Sequence, residues 1–536
     1  MRSKIIRFFL YTALVINLIN CAKKGSPTGG EKDITPPVVV SSVPAPFTTN
    51  FTNEEIRINF DEYIKLKDLQ KQLIVSPPLE YLPEVTPQGG ASKYLKVKIL
   101  DTLAENTTYV LNFGQSVTDN NEGNPYPFLN YVFSTGDYID SLTINGYITD
   151  AVNKKPEQFV SVMLYKVDTT FTDSIIYKKK PTYITNTLDS LTTFQLPYLK
   201  EGKYMLVAMK DVANNYLFDQ KADKIGFISN FIDVPTDSVY HLNLFKETPN
   251  FKASVPSLAA ANRIIFGYEG DASDMEINII SDTPEDYKYS MTQDREKDTL
   301  HYWFTPFEAD SLLFTVSTQK TIDTFKVRMK ELYKDTLILR QDNSKAFTIG
   351  SDFIISASTP LVRVNKDSIS IINKDSISLE FSAKLDTLKN QVILRWDTEP
   401  NQGYKITAQA NTFEDFFGTV NDTVLDYSVS TKSLANLGSV RVKLKNVDSY
   451  PVIVQLTDQK GEVVHEAYSE GPREFYEFRD INPTTYLLRV IFDTNGNGEW
   501  DTGNYLEKKQ PERISYYPTP IELKANWELE EEFTLD

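Results

Sequence analysis

The sequence predicts an all-β chain: a tandem array of about five β-sandwich domains behind a short leader. Three observations predict it. Short segments alternate polar with apolar residues from Pro37 onward, as in Glu55-Ile-Arg-Ile-Asn-Phe60, Tyr94-Leu-Lys-Val-Lys-Ile99, Ser376-Ile-Ser-Leu-Glu-Phe381 and Val440-Arg-Val-Lys-Leu444. Each reads as a strand with one buried and one wet face. Helical periodicity is nearly absent, with Asp68 to Gln72 the kind of stretch that could form a single turn. Two different segments each occur twice, which is how a chain of stacked modules is written.

The leader comes first. Arg2, Lys4 and Arg7 precede an apolar run from Phe8 to Ile19, and Cys21, the only cysteine, closes Leu18-Ile-Asn-Cys21. A run of about a dozen residues is short of the ~20 that a permanent membrane helix needs. The arrangement resembles a bacterial lipoprotein signal, with Asn20 departing from the small residue preferred before the cysteine. That resemblance implies removal of residues 1–20 and acylation (palmitate-type chains) of Cys21. One acyl chain anchors marginally and two or three hold firmly, so the protein is expected to be tethered to a membrane without spanning it. Residues 21–36, rich in Gly, Pro and Lys, form the expected acylated, flexible stalk.

Five modules follow: 37–138, 139–247, 248–358, 359–432 and 433–536. In the first, Ile56–Phe60, Tyr109–Phe113, Val117–Asn120 and Tyr131–Thr135 run in the same order as Ile377–Phe381, Tyr404–Ala408, Phe416–Asp422 and Tyr427–Thr431 in the fourth. In the second, Gly202–Asp211 and Leu217-Phe-Asp219 match Thr485–Asp493 and Glu499-Trp-Asp501 in the fifth. The module 248–358 matches neither type. Thr35-Pro-Pro37, Ile58-Asn-Phe-Asp-Glu62 and Phe133-Ser-Thr-Gly136 make the first module resemble the bacterial Ig-like (SbsA-type) domains of Bacteroidota outer-membrane lipoproteins, and the fourth, 359–432, resembles them more weakly as a second Ig-like domain. The second and fifth are more loosely similar to prealbumin-like or carboxypeptidase-regulatory-like β-sandwiches.

Composition narrows the function. No cysteine follows Cys21, so stability must come from hydrophobic cores rather than disulfides. The net charge of −17 becomes −20 once Arg2, Lys4 and Arg7 leave with the leader. Such a surface repels nucleic acid and anionic lipid.

One loop has the grammar of a cation site. Asp493, Asn495, Asn497, Glu499 and Asp501 place oxygens at alternate positions, with Gly498 at the sixth place. This resembles an EF-hand or dockerin-like calcium loop, although Asn504 stands where a bidentate Glu is expected. A solvated Gly/Asn hairpin is the alternative reading. The earlier copy, Asp211, Asn214, Asn215 and Asp219, lacks the two glycines. A second pattern is Asp, then Ser or Thr, then a small or aliphatic residue. Its hydroxyls are Thr102, Ser141, Thr169, Ser174, Ser190, Ser238, Thr299, Ser311, Thr336, Ser368, Ser376, Thr387 and Thr423. The pattern resembles the O-glycosylation acceptor of exported Bacteroidota proteins, and it is equally what turns opening into strands would write.

Catalytic grammar is missing. His241, His301 and His465 stand far apart, and no nucleophile elbow, phosphate loop or zincin helix occurs. Trp303, Trp396, Trp500 and Trp527 suit core packing or sugar stacking. The expectation is a membrane-anchored, non-enzymatic lipoprotein that serves as a scaffold or binding subunit. It would be accessory to an outer-membrane protein complex for transport, secretion or barrel assembly, and would face the cell surface, with the periplasmic face as the alternative. A surface adhesin or glycan-binding protein is the alternative, followed by a hydrolase with an unrecognised site. No cofactor is required on this reading, and calcium is the one ion it allows.

Overall fold

The computed structural model describes residues 32–187, 191–342 and 347–535. Cys21, the leader, most of the stalk and Ser190 lie outside the described residues. Strands dominate throughout, with one short α-helix at Leu69–Gln72 and three 3₁₀ turns among the described residues. The helix falls where the single turn was expected.

Five sandwiches follow one another. In unit 1, strands Val39–Val43, Glu55–Leu66, Ser92–Lys98 and Glu84–Thr86 lie side by side, with Val117–Asp119 added to the far end of Glu55–Leu66. They face a sheet of Ile74–Ser76, Thr108–Asn112 and Asn130–Ser134. The alternation of Glu55–Phe60 is the cause: Ile56, Ile58 and Phe60 enter the core while Glu55 and Arg57 stay wet.

Unit 4 repeats this order strand for strand. Leu339–Gln341, Phe353–Ala357, Gln391–Trp396 and Phe381–Asp386 form one sheet; Ile369–Asn373, Gly403–Ala408 and Leu425–Ser430 form the other. Leu361–Val364 pairs with Phe413–Asp415 in the place of the small added pairing of unit 1. Shared side-chain devices confirm the repeat. Tyr109 Oη accepts the Ala104 N–H at 2.9 Å and Tyr404 Oη accepts that of Glu399 at 2.6 Å, each from five residues upstream. Thr135 Oγ1 accepts from Thr107 N and donates to Ala104 O, as Thr431 Oγ1 does with Gln402 N and Glu399 O.

One correspondence fails. The counterpart of Glu55–Phe60 is Phe353–Ala357, not Ile377–Phe381. Ser376 takes φ +62°, and Asn373 Oδ1 accepts the N–H groups of Asp375 and Ile377, so this stretch is a turn returning along Ile369–Asn373. Its alternation was real, but it flanks a turn. The strands between residues 339 and 357, expected in the third module, therefore belong to the fourth, which begins well before 359.

Units 2 and 5 also share one topology. Unit 2 has Tyr183–Asn186, Ser161–Lys166, Gly202–Lys210 and Lys224–Phe227 in one sheet, with Ile232–Val234 also on Gly202–Lys210. Its other sheet sets Thr193–Leu199, Leu142–Asp150 and Val239–Leu244 in order, the last pair parallel. Unit 5 reproduces both sheets, down to the parallel pairing of Gly438–Lys445 with Glu528–Thr534. Unit 3 is a sandwich as well, with Arg263–Glu269 and Thr299–Phe304 central in one sheet and Ser311–Ser317 central in the other.

The units do not run out as an open row. Unit 2 meets unit 3 through Lys221–Glu269, unit 3 meets unit 4 through Gln293 N to Leu388 O, and unit 4 meets unit 5 through Lys432–Asn482. Unit 5 then folds back onto unit 2, closing a ring of four. Unit 1 stands outside the ring on unit 2, held by Thr108–Asp140, Lys180 to Leu79 O and Ile184 N to Ser76 Oγ. The last stalk residues lie along unit 1, where Asn124 Nδ2 donates to the carbonyls of Asp33 and Thr35.

Candidate functional site

The clasp between units 2 and 5 begins with two carboxylates at the base of a loop. In unit 5 the strand Thr485–Phe492 delivers Asp493, which is 1% exposed. Its Oδ1 accepts the N–H groups of Gly496 and Asn497, and its Oδ2 that of Gly498. Gly496 and Gly498 sit at φ +72° and +79°, which glycine takes without strain. Glu512 closes the other side, accepting from Thr494 N at 2.6 Å and Asp501 N at 3.1 Å.

Unit 2 uses the same plan. Asp211 accepts from Tyr216 N, and Asp223 accepts from Val212 N and Asp219 N at 2.8 Å each. The difference lies between the second and third acidic residues. Asp219 and Asp223 are four positions apart, whereas Asp501 and Glu512 are eleven apart. The extra chain in unit 5 makes the clasp.

Tyr505, fully buried, is its anchor. The ring meets Phe227 edge-on at 5.4 Å, and its hydroxyl donates to Asp173 O at 2.9 Å. Its N–H donates to Glu247, whose other oxygen accepts from Gln220. Burial pushes the Glu247 carboxyl above its usual range, against those two hydrogen bonds. Lys508 lies 4.2 Å over the Tyr505 ring and 2.6 Å from Asp173. Thr502 and Gln510 donate to the carbonyls of Lys246 and Phe227. Gly503 allows the approach, because a Cβ there would meet Phe245 at 2.7 Å. On a second front, Lys154 donates to Tyr517 O, and Tyr516 and Arg489 both donate to Val152 O.

The five residues read as a calcium loop are brought together, but on one another. Asn495 and Asn497 turn their Nδ2 groups to Asp501. Their oxygens accept the N–H groups of Asn497 and Glu499. A cation would require both amides to rotate. Among the described residues no group of three or more His, Cys, Asp or Glu is placed to hold a metal.

A groove of about 650 Å³ separates units 1 and 2. Directly paired residues supply its polar walls: Asn112 faces Asn130 across one sheet, and Asn145 faces Gln195 across the other. Asn186 lies at the end of an edge strand beside them. Tyr147 and Phe128, 42% and 44% exposed, contribute rings.

The remaining expected residues scatter. Thr102, Ser141, Thr169, Ser238, Thr336, Ser376, Thr387 and Thr423 are exposed, and Ser174, Thr299, Ser311 and Ser368 are half-buried. Thr299 and Ser311 each open a strand, as the turn-to-strand reading requires. The histidines do not meet: His241 stacks on Tyr147, His301 bonds Asp294 at 3.2 Å, and His465 lies by Tyr486. Burial lowers the pKa of His241 and His301. Trp303 and Trp396 are core residues, Trp500 packs between units 5 and 2, and Trp527 is exposed.

Residues 33–135 match the bacterial Ig-like domain family. The chain is a tandem of β-sandwiches, the first of which is Ig-like. Among solved structures it is similar to the surface layer protein SbsC, domains 1–6, with 11% identity over 91% of this chain and 68% of that one, at a TM-score of 0.16. BcpA, the major pilin subunit of Bacillus cereus, aligns with 12% identity over 74% of this chain and 99% of its own, at 0.14. Titin domains A168–A170 align with 10% identity over 52% and 98%, also at 0.14. No curated protein matches the chain. No helix among the described residues is long and apolar enough to cross a membrane.

Proposed function

We propose that the chain is a non-enzymatic scaffold or binding subunit, tethered to the outer membrane through acyl chains on Cys21, facing the cell surface and accessory to an outer-membrane protein complex. The observation that supports a scaffold most directly is the clasp. A string of sandwiches joined by short linkers flexes at every joint, because interfaces within a chain are usually small and polar. Seating Tyr505 in unit 2 ties units 2 to 5 into one block, which can hold a partner's surface at fixed geometry. Unit 1 and the stalk then set the height of that block above the lipid. Calcium at the 493–501 loop, after rotation of Asn495 and Asn497, would stiffen the root of the clasp further.

Mild-detergent capture of the native protein from its own membranes, read by mass spectrometry, tests the subunit role. A stoichiometric outer-membrane protein is the expected result, and recovery of the intact acylated chain alone would sink it. The anchor is tested separately: Cys21→Ser should move the protein from the membrane to the soluble fraction.

A further inference from the structure

We propose that the groove between units 1 and 2 binds an uncharged oligosaccharide. Its described lining contains no Asp, Glu, Lys or Arg, in a chain that is 24% charged with a net charge of −17. A site for a peptide terminus, phosphate, nucleotide or acidic sugar would present a countercharge. Here the polar groups are carboxamides, each offering both a donor and an acceptor, which is what a sugar hydroxyl, itself donor and acceptor, requires.

The sheet places these groups in order. Asn145 and Tyr147 are two apart on one strand, so both project from the same face, opposite Gln195 and Thr193 of the neighbouring strand. All four are exposed. The Gln195 amide donates to Asn145 at 3.1 Å, leaving the Asn145 Nδ2 and the Gln195 Oε1 for a ligand. Across the groove, Asn112 Oδ1 accepts from Gly114 N, which leaves its Nδ2 for a ligand. The amide of Asn130, exposed beside it, has no bond to another described residue.

Aromatic faces complete the pattern. Tyr147 is held flat against His241 at 4.6 Å and 11°, so one ring is fixed in orientation before any ligand arrives. Phe128 stands 44% exposed at φ +56°, a backbone state that a bulky residue seldom adopts without cause. A pyranose offers such rings its C–H face, while its rim of hydroxyls meets the carboxamides. At about 650 Å³ the groove has room for a few sugar rings, which suits a stretch of chain rather than a single sugar.

The test uses the full chain in a detergent without a sugar headgroup. Calorimetry with cello-, xylo-, manno- and maltohexaose is run beside oligogalacturonate and an uncharged Asn/Thr-rich peptide. At least one neutral hexaose should bind, and Asn130→Ala and Tyr147→Ala should each weaken it tenfold or more without lowering the melting temperature. Gln195→Glu, which keeps size and adds charge, should do the same if Tyr147→Ala perturbs folding. Absence of binding by all four neutral sugars, tighter binding of the peptide or of oligogalacturonate, or binding indifferent to these variants would overturn the proposal.

Discussion

Units 2 and 5 have one topology, one strand-end Asp and one closing carboxylate, yet only unit 5 reaches out of its own fold. In unit 2 the chain from Asp219 to Asp223 turns at once into the next strand. In unit 5 the longer passage from Asp501 to Glu512 carries Tyr505 into the partner repeat. The two units share one frame, and the longer loop of unit 5, set between two carboxylates that tie down its ends, makes one unit a ligand for the other. Loop length adds little entropy cost when both ends are pinned, so this is an economical place to build an interface.

The largest break in that comparison is Tyr505→Ala. Removing a fully buried aromatic costs about 3–5 kcal/mol, and here the hydroxyl's hydrogen bond to Asp173 O in unit 2 goes with its seat. Unit 5 should detach while each sandwich stays folded. Small-angle scattering should report a larger radius, and hydrogen exchange should rise around Asp173 and Phe227. An unchanged radius with ordinary destabilisation would mean that the second front, at Val152 and Lys154, suffices to close the ring.

A sharper contrast compares the two strand-end aspartates. Asp493→Ala removes a buried carboxylate that accepts three N–H groups, those of Gly496, Asn497 and Gly498, and should cost about 2–3 kcal/mol. Asp211→Ala should cost about 1 kcal/mol or less, because the one close hydrogen bond of Asp211 is from Tyr216 N at 2.7 Å, and its carboxylate is itself penalised by burial. Denaturant melts of the two variants check the ranking. Equal losses would mean that the loops are equivalent and that only length separates them.

The fold was legible because alternation reports one-sided burial, and both repeats could be read in the sequence. The slip at Ile377–Phe381 shows the limit: alternation continues through a turn when its side chains still face a core intermittently, and Leu379 does. The clasp carried a signal that passed unread. Tyr204-Met-Leu-Val-Ala-Met209 and Val162-Met-Leu-Tyr165 are continuous apolar runs, the mark of a sheet covered on both faces. One face is the core of unit 2, with Val162, Leu164, Leu206 and Ala208; the other carries Met163, Tyr165, Met205, Val207 and Met209 beneath Tyr505. The sequence thus announced a covering without naming its source, which lies some 300 residues away. The groove was invisible for a related reason, since its carboxamides come from strands of two different units.

The smallest effect concerns pH and isolates the clasp from its frame. Glu247 holds the Tyr505 N–H, and burial, assisted by the neighbouring Glu507, raises its carboxyl pKa in the folded state. A carboxyl raised above its unfolded value near 4.5 contributes stability that is present below that value and lost as pH rises through the folded one. Lowering the pH from 8 toward 5 should therefore tighten the seat of unit 5 on unit 2. Glu247→Gln keeps an acceptor for Tyr505 without the charge, so it should flatten this dependence and shift stability at pH 8 upward by under about 1 kcal/mol. The readout is the wild-type minus variant difference in melting temperature across pH 5–8, which cancels groups common to both proteins. A difference that becomes more negative as pH rises locates the titration at the clasp. One that stays constant would mean that Glu247 is ionised throughout and that Tyr505, not its buried partner, sets the strength of closure.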